Sequence, residues 1–442
     1  MSIRPRTEAY MLLTSDLFVW LFALWIALFL RDFTLPPADL FFLHVTPFVF
    51  IFTLWAGVFF IFDLYKNPTL LAKQKIGRDL VNAQFANTVI AIFFFYFIPY
   101  FLITPKTILF IQLALSFAGV ALWRLVIATR FRTVKKKEAL LIGKGPDVAL
   151  LAHEINTNGR YRFSVDHREE LQFEEVVRLI EEKNIDTIII DTHAPEARGH
   201  TRELYELLFA NVTFLDLHEL FEEVFGRVPL TLLHDSWFVE NITVTPKRFS
   251  DAVKRLMDIL VAAIIGALTL SLYPLIIGAI YLEDRRTPFI KQTRVGKSFK
   301  PITLYKFRTM TRNEESVVEG GGDNRITHVG AFLRKMRLDE LPQLWNVLRG
   351  DLSLIGPRPE LFDATRLYSE QIPYYLSRLL ILPGLSGWAQ IYHQAHPHHT
   401  ADIPETKNKL SYDLYYIKNH SLFLDVQIAL KTLRTLASRS GR

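Results

Sequence analysis

The stretch Arg334–Pro359, RKMRLDELPQLWNVLRGDLSLIGPRP, sets two adjacent carboxylates, Asp339 and Glu340, between two groups of arginines. Arg334 and Arg337 precede the acids; Arg349 and Arg358 follow them. Fixed cations around paired acids suit chemistry on phosphates: the cations hold negative oxygens while a carboxylate attacks or carries a metal. The competing reading is helix capping, with Asp339 as N-cap, Glu340 in the first turn and Pro342 tolerated there. The two readings are compatible, because a helix N-terminus also attracts phosphate. In GPRP (Gly356–Pro359), Pro357 and Pro359 fix the backbone around Arg358. The guanidinium is then presented with little entropy left to lose, as a phosphate clamp or simply within a rigid turn.

Around this stretch lie further cationic and apolar motifs. KQTRVG contributes Lys291 and Gln292, and YKFRTM contributes Lys306 and Arg308 at the end of an expected strand. ITHVGAFLRKMR (Ile326–Arg337) reads as an amphipathic helix, apolar at Val329, Phe332, Leu333 and Met336; Leu341, Leu344, Trp345 and Leu348 repeat the spacing. Such helices lie in a lipid headgroup layer or pack in an ordinary core. LPGLSGWAQ (Leu382–Gln390) is a turn-rich loop of the kind that shapes a pocket. His393, His396, His398 and His399 invite a zinc reading, but no Cys or paired acid accompanies them, and a solvated loop is the plainer expectation.

Upstream, the apolar run Leu256–Leu282 is long enough to span a bilayer. Its flanks argue otherwise. Lys247, Arg248, Lys254 and Arg255 precede it, and Arg285, Arg286, Lys291 and Arg294 follow, so both ends should remain cytoplasmic. Pro274 kinks a helix, and Ser271 is placed to satisfy a freed backbone group. The run therefore reads as a re-entrant helical hairpin. A plain spanning helix is the competing reading, and would put Asp339 on the other side of the membrane.

Between about Glu138 and Glu240 the chain reads as α/β. Ala139–Gly143, Thr187–Ile190 and Val212–Leu217 look like short buried strands, and Phe173–Asn184 like an amphipathic helix. Gly143 and Gly145 invite a phosphate-binding turn, but the full dinucleotide fingerprint is missing and Pro146 occupies the turn. A structural or regulatory Rossmann-like domain is expected instead.

Four apolar stretches open the chain: Tyr10–Leu30, Phe41–Phe62, Phe85–Ile103 and Thr107–Ile127. Lys and Arg crowd before the first, between the second and third, and after the fourth, which places both ends of a four-helix transmembrane bundle in the cytoplasm. The first run is too long for a signal peptide and lacks a small-residue cleavage site. Asp16 and Arg124 lie in or near these helices, as a functional pair or as interfacial or mutually paired charges. Otherwise the stretches hold few polar groups, which speaks against a transporter. Half the residues are hydrophobic and 22% charged, a mixture of membrane and soluble parts; with no cysteine there is neither disulfide nor thiolate metal site. The net charge of +6 is concentrated beside apolar segments, pointing to anionic lipid or phosphate ligands.

Taken in order, Lys254-Arg255 with Asp258, the Ser271/Pro274 kink, KQTRVGK, YKFRTM, DNRITHVGAFLRK, LDELPQLWNVLRGDLSLIGPRP and PGLSGWAQ make residues 247–436 resemble the bacterial sugar transferase family, the monotopic phosphoglycosyl transferases. The N-terminal half resembles, less specifically, the large form of that family, in the manner of undecaprenyl-phosphate galactose or glucose phosphotransferases.

The resemblance implies three domains: a four-helix transmembrane domain (1–130), an α/β Rossmann-like cytoplasmic domain (131–246), and an α-rich monotopic catalytic domain (247–442) with a re-entrant helix at 254–282. It implies transfer of a sugar 1-phosphate from a UDP-sugar to undecaprenyl phosphate, opening O-antigen, capsule or exopolysaccharide synthesis. Asp339 would be nucleophile and Mg²⁺ ligand, with Glu340 assisting. Arg334 and Arg358 would bind phosphate, and Lys306, Arg308, Lys291, Gln292 and Pro357 would support. Expected partners are the two substrates, membrane lipids and a second copy of the chain, with no nucleic acid. The expected location is the bacterial inner membrane, multi-pass, with the active site on the cytoplasmic face. The rival is a scaffold or sensor in polysaccharide assembly that keeps the fold without turnover. After Gln390 the chain reads IYHQAHPHH where the family continues with an Asn-Gly turn, which puts the shape of the sugar or acceptor pocket in doubt. A fragment beginning after Asp251 carries the catalytic motifs and is expected to keep some activity.

Overall fold

The computed structural model describes residues 5–62, 64–65, 73–97, 106–130, 137–158, 161, 163–170, 173–183, 185–192, 194, 199–210, 212–242, 248–311, 326–392 and 402–437. The histidines at 393, 396, 398 and 399, the basic residues Lys66, Arg132, Lys135, Lys136 and Lys247, and the end of the third apolar stretch fall outside these residues. The chain divides into two compact units, residues 1–217 and 218–442.

The first unit opens with α1 (Pro5–Asp32), α2 (Ala38–Ile61), α3 (Lys73–Phe97) and α4 (Lys106–Arg130). By length and composition α1, α2 and α4 can cross a membrane, whereas the apolar part of α3 is the shorter Leu80–Phe95. Trp20 of α1 packs against Phe52, Trp55 and Phe59 of α2, with ring centroids 5.4–5.7 Å apart. The two charges form a pair: Arg124 Nη2 donates to Asp16 Oδ2 at 2.7 Å, and its Nη1 donates to Leu64 O at 2.9 Å. Asp16 is fully buried, so this bond fixes α1 on α4 where removing either partner leaves an uncompensated charge. The interior is more polar than expected. Gln84, Asn87, Gln112 and Ser116 are buried as well, because hydropathy averaged over a helix hides single amides that point inward.

A four-stranded parallel sheet follows: β1 (Lys137–Ile142), β2 (Phe163–Arg168), β3 (Thr187–Ile190) and β4 (Thr213–Asp216), in the order β2-β1-β3-β4. The helices α5 (Pro146–Thr157), α6 (Phe173–Lys183) and α7 (Thr201–Leu207) alternate with the strands. Pro146 occupies the first turn of α5, where its missing N–H removes no helical bond, and Gly145 ahead of it adopts φ +116°. Strand β2 was not legible in the sequence because FSVDHR is half polar. It pairs only with β1, at the sheet edge, and the Asn156 side chain ties it down by donating to Val165 O and accepting from Val165 N.

The second unit comprises α8 (Leu217–Phe225), α9 (Asp235–Asn241), α10 (Arg248–Thr269), α11 (Tyr273–Asp284), β5 (Phe289–Val295), β6 (Pro301–Phe307), α12 (His328–Lys335), α13 (Gln343–Arg349), β7 (Ser353–Ile355), α14 (Phe362–Gln371), β8 (Gly384–Ser386), α15 (Trp388–Tyr392), α16 (Ile403–Lys418) and α17 (Leu422–Ala437). Val228 and Trp237 share a core with Tyr368, Tyr375, Leu410 and Leu414. Trp388 Nε1 donates to Gly226 O at 2.7 Å, and Val228 N to Ser411 O at 3.1 Å. A fragment starting after Asp251 therefore exposes this core. Its Tm in detergent is expected to fall well below that of a fragment starting at Val212, and its transfer activity with it; equal Tm values would refute this packing role.

Between α10 and α11 the axis breaks at a short 3-10 turn, Leu270–Leu272, which contains Ser271; Pro274 sits in the first turn of α11. Within Phe249–Asp284 only 11% of the most apolar window is buried in the molecule, so this surface needs an apolar medium. Both legs nevertheless rest on one body. Ala262 of α10 packs with Leu304, Leu344 and Val347, while Ile276 and Ile280 of α11 pack with Phe307 and Leu333. Leu341 touches both groups.

Candidate active site

Asp339 and Glu340 are placed by contacts distant in sequence. The Glu283 carboxylate, at the end of α11, accepts from His328 N at 2.6 Å and Val329 N at 2.9 Å, capping α12. Thr327 Oγ1 caps the same helix by accepting from Gly330 N. A Cβ on Gly330 would lie 2.1 Å from Thr309 O, so only glycine lets α12 lie against the end of the β6 segment. One turn on, Arg334 Nε donates to Thr309 Oγ1 at 2.9 Å. The chain then reverses through Arg337 at φ +56° into the 3-10 turn Leu338–Glu340. Pro342, rather than Asp339, fills the N-cap position of α13, so the capping reading of Asp339 does not hold.

Helix α13 is clamped at its C-terminal end. Arg255 donates from Nη1 to Val347 O at 2.6 Å and from Nη2 to Leu348 O at 2.8 Å. The buried Asn346 donates to Thr303 O and accepts from Tyr305 N, joining α13 to β6. Strand β7 is held by α10: Asp258 accepts from Ser353 Oγ at 2.8 Å, and Lys254 Nζ donates to Ile355 O at 3.3 Å while pairing with Asp425 of α17 at 2.6 Å. The Gly356–Pro359 loop then packs on β8. A Cβ on Gly384 would meet Gly356 N at 2.1 Å, and one on Gly387 would meet Gly356 O at 2.4 Å. The loop Leu382–Gln390 is thus the bed of the Arg358 turn. Beneath it, the buried Arg378 donates to Arg358 O at 3.0 Å and to Asp413 Oδ2 at 2.8 Å.

These tethers bring Arg358 Nη2 to 2.5 Å from Glu340 Oε1, with Lys306 Nζ at 3.7 Å from the same oxygen. Burial by itself would raise the Glu340 pKa; Arg358 and Lys306 overcome it and hold the group at about 2. Asp339 differs. Burial, and then the charge of Glu340, push its carboxyl up to about 6 against the pull of Lys306 and Arg334. Its Oδ1 is buried and has no hydrogen-bond partner among the described residues. One acid is thus locked as a permanent anion in an ion pair. The other keeps an oxygen available and titrates near neutrality, the arrangement expected of a reacting carboxylate.

The remaining expected residues are placed apart from this group. Lys291 is exposed and lies 5.9 Å over the Tyr305 ring. It pairs with Tyr305 while Lys306 pairs with Ile290, so the two lysines occupy opposite faces of the hairpin. Arg308 donates twice to Thr287. Gln292 is buried and accepts from Arg294 at 3.2 Å. Pro357 is buried in the turn, and its carbonyl accepts from Gly384 N at 2.9 Å. Two residues of the group escaped the sequence reading: Thr309, which orients Arg334, and Gln343, whose buried Nε2 has no partner among the described residues one turn after Asp339. Each lies inside one of the motifs above, Thr309 next to Arg308 and Gln343 three residues after Glu340.

A bacterial sugar transferase profile matches residues 249–439. An uncharacterized sugar transferase of Bacillus subtilis is 39% identical over 190 residues, which cover 89% of that protein and 43% of this chain. The chain belongs to the bacterial sugar transferase family. A family relative from Caulobacter vibrioides, named UDP-glucose:undecaprenyl-phosphate glucose-1-phosphate transferase, is 39% identical over 43% of this chain and 72% of its own length. Another from Aeromonas hydrophila, named a UDP-N-acetylgalactosamine-undecaprenyl-phosphate N-acetylgalactosaminephosphotransferase, is 38% identical over 260 residues. That match spans 58% of this chain and 60% of the Aeromonas protein. The family region contains every residue of the Asp339 group; of the departure after Gln390, Ile391 and Tyr392 end α15 and residues 393–399 lie outside the described residues.

Proposed function

We propose that this chain transfers a sugar 1-phosphate from a nucleoside diphosphate sugar, a UDP-hexose, to a polyprenyl phosphate, with UMP as the other product. The observation that carries this reading is the buried, unpartnered oxygen of Asp339 beside an anion already neutralised by Arg358 and Lys306. In the first step an Asp339 oxygen bonds to the β-phosphorus, the bond from that phosphorus to the bridging oxygen breaks, and UMP departs with that oxygen. In the second, an oxygen of the lipid phosphate attacks the same phosphorus and frees the Asp339 carboxylate. Arg334 and Arg358 steady the phosphate oxygens, and Glu340 orients Arg358. Among the described residues the Asp339 Oδ1 has no hydrogen-bond partner; with substrate phosphates such an oxygen suits Mg²⁺, which often takes one or two carboxylates alongside phosphate oxygens. When bound, the metal offsets the repulsion between carboxylate and diphosphate.

The re-entrant reading of α10 and α11 fits the same scheme. Both legs rest on the body that carries Asp339, and Phe332, Met336 and Trp345 are exposed beside them. The reaction centre then lies level with the headgroups on the cytoplasmic side of the inner membrane, where an apolar acceptor presents its phosphate. The parallel sheet serves as a Rossmann-like accessory domain. The product begins assembly of an O-antigen, capsule or exopolysaccharide on its lipid carrier.

The test is nucleotide release by purified membranes given undecaprenyl phosphate, Mg²⁺ and a panel of UDP-sugars. UMP release with one sugar and dependent on lipid is expected. Silence with every UDP- and other nucleotide-sugar would favour a scaffold that retains the fold.

A further inference from the structure

An apolar cavity of about 620 Å³ lies under the break between α10 and α11, within the range of small-molecule sites. Its floor is Ala263, Gly266 and Ala267 of α10; Tyr273, Phe289 and Tyr305 supply aromatic walls. Pro342 and Trp345, from the segment that follows the acids, complete the lining. Two wall residues belong to the segments that carry the reaction centre: Tyr305 precedes Lys306, and Pro342 lies two residues after Glu340. The same backbone thus presents cations to one space and an apolar wall to another.

We propose that this cavity receives the first isoprene units of the acceptor, the part of its chain next to the phosphate. This rests on the transfer reading above and deepens it. The occupant must have an apolar tail that starts at the phosphate placed against Asp339, which a polyprenyl phosphate has and a diacyl phospholipid, with its phosphate capped by glycerol and headgroup, lacks. A methyl-branched chain is also wide, and the floor of small side chains leaves width. Burying such a chain supplies binding energy remote from the reacting phosphorus and holds the phosphate in line for attack.

Gly266 suits the test, because it lines the cavity and a Cβ built there meets no atom within 4 Å. Gly278 of α11 is equally open but does not line the cavity, so it controls for added bulk in the same apolar segment. The variants Gly266→Leu, Ala267→Leu and Gly278→Leu of the full chain would be assayed in vesicles of fixed composition, varying undecaprenyl phosphate. UMP release without acceptor normalises for folded enzyme. Gly266→Leu or Ala267→Leu is expected to raise the acceptor KM about tenfold relative to Gly278→Leu, roughly the effect of losing one or two buried chain contacts. An unchanged acceptor KM, or equal effects in all three variants, would overturn the proposal and leave the cavity to bilayer lipid. If the unaltered enzyme releases no UMP with any donor, it is the transfer reading that fails.

Discussion

Asp339→Asn is expected to abolish transfer, by roughly 10⁴-fold or more, the scale on which covalent nucleophiles are lost, while the protein still inserts in membranes. An amide is a poor nucleophile, yet it fills the same space, so the loss isolates the chemistry from the packing. The perturbed acidity adds two further signatures. The rate of UMP release in the unaltered enzyme should rise with pH as the carboxyl ionises near pH 6 and level off above it. The folded pKa, about 6, exceeds the ordinary value of 3.8, so the fold favours the protonated acid, and stability falls as pH rises from about 4 to about 6 and stays at that lower level above it. A shift of about two units corresponds to ~3 kcal/mol at most. The Asn variant escapes that penalty. Its Tm without divalent cation should exceed that of the unaltered protein at pH 8, with the difference closing as pH falls below about 6 toward 4. Equal Tm values at pH 8 would show that Asp339 is not strained in this way.

Arg358→Ala should be the next most damaging change. It removes the donor 2.5 Å from Glu340 and leaves that partly buried carboxylate with Lys306 at 3.7 Å. It also removes a guanidinium that remains 32% exposed, with donors free to face a diphosphate. Loss of one such fixed cation from a phosphoryl site is worth about 10²–10³ in kcat/KM, and the loss should appear already in UMP release without acceptor. Arg358→Lys should recover little, because one ammonium does not reproduce a fork that meets a carboxylate and a phosphate together. Near-complete rescue by lysine would mean that only the charge matters.

The cluster of Asp339, Glu340 and Arg358 was legible because its acids and arginines lie in one short, unusual stretch, and charge density around adjacent carboxylates is a linear feature. What holds it was less legible. The Glu283 cap on α12, the Asp258 grip on β7 and the Gly384–Gly356 approach join residues far apart in the chain, and each reads locally as an ordinary acid or glycine. Counting cations also set no order among them. Lys291 and Arg308 looked equivalent to Lys306, but strand register sends Lys291 to the other face, and Thr287 occupies Arg308. The segment around Trp237 read as the tail of the α/β region, since nothing local reveals that its core partners are Tyr368 and Leu414. The break in the apolar run was readable from Pro274, while its neighbouring cavity, made by small residues opposite aromatic ones from four segments, was not.

The central claim is a phosphosugar held on Asp339 between two half-reactions. The direct measurement is peptide mass spectrometry of the purified enzyme after incubation with UDP-sugar and Mg²⁺ but no lipid. A sugar-phosphate increment on the peptide containing Asp339, discharged by adding undecaprenyl phosphate and absent from Asp339→Asn, is the predicted result. An enzyme that turns over with lipid, yet carries no adduct and releases no UMP without it, would contradict the account and require direct attack by the lipid phosphate.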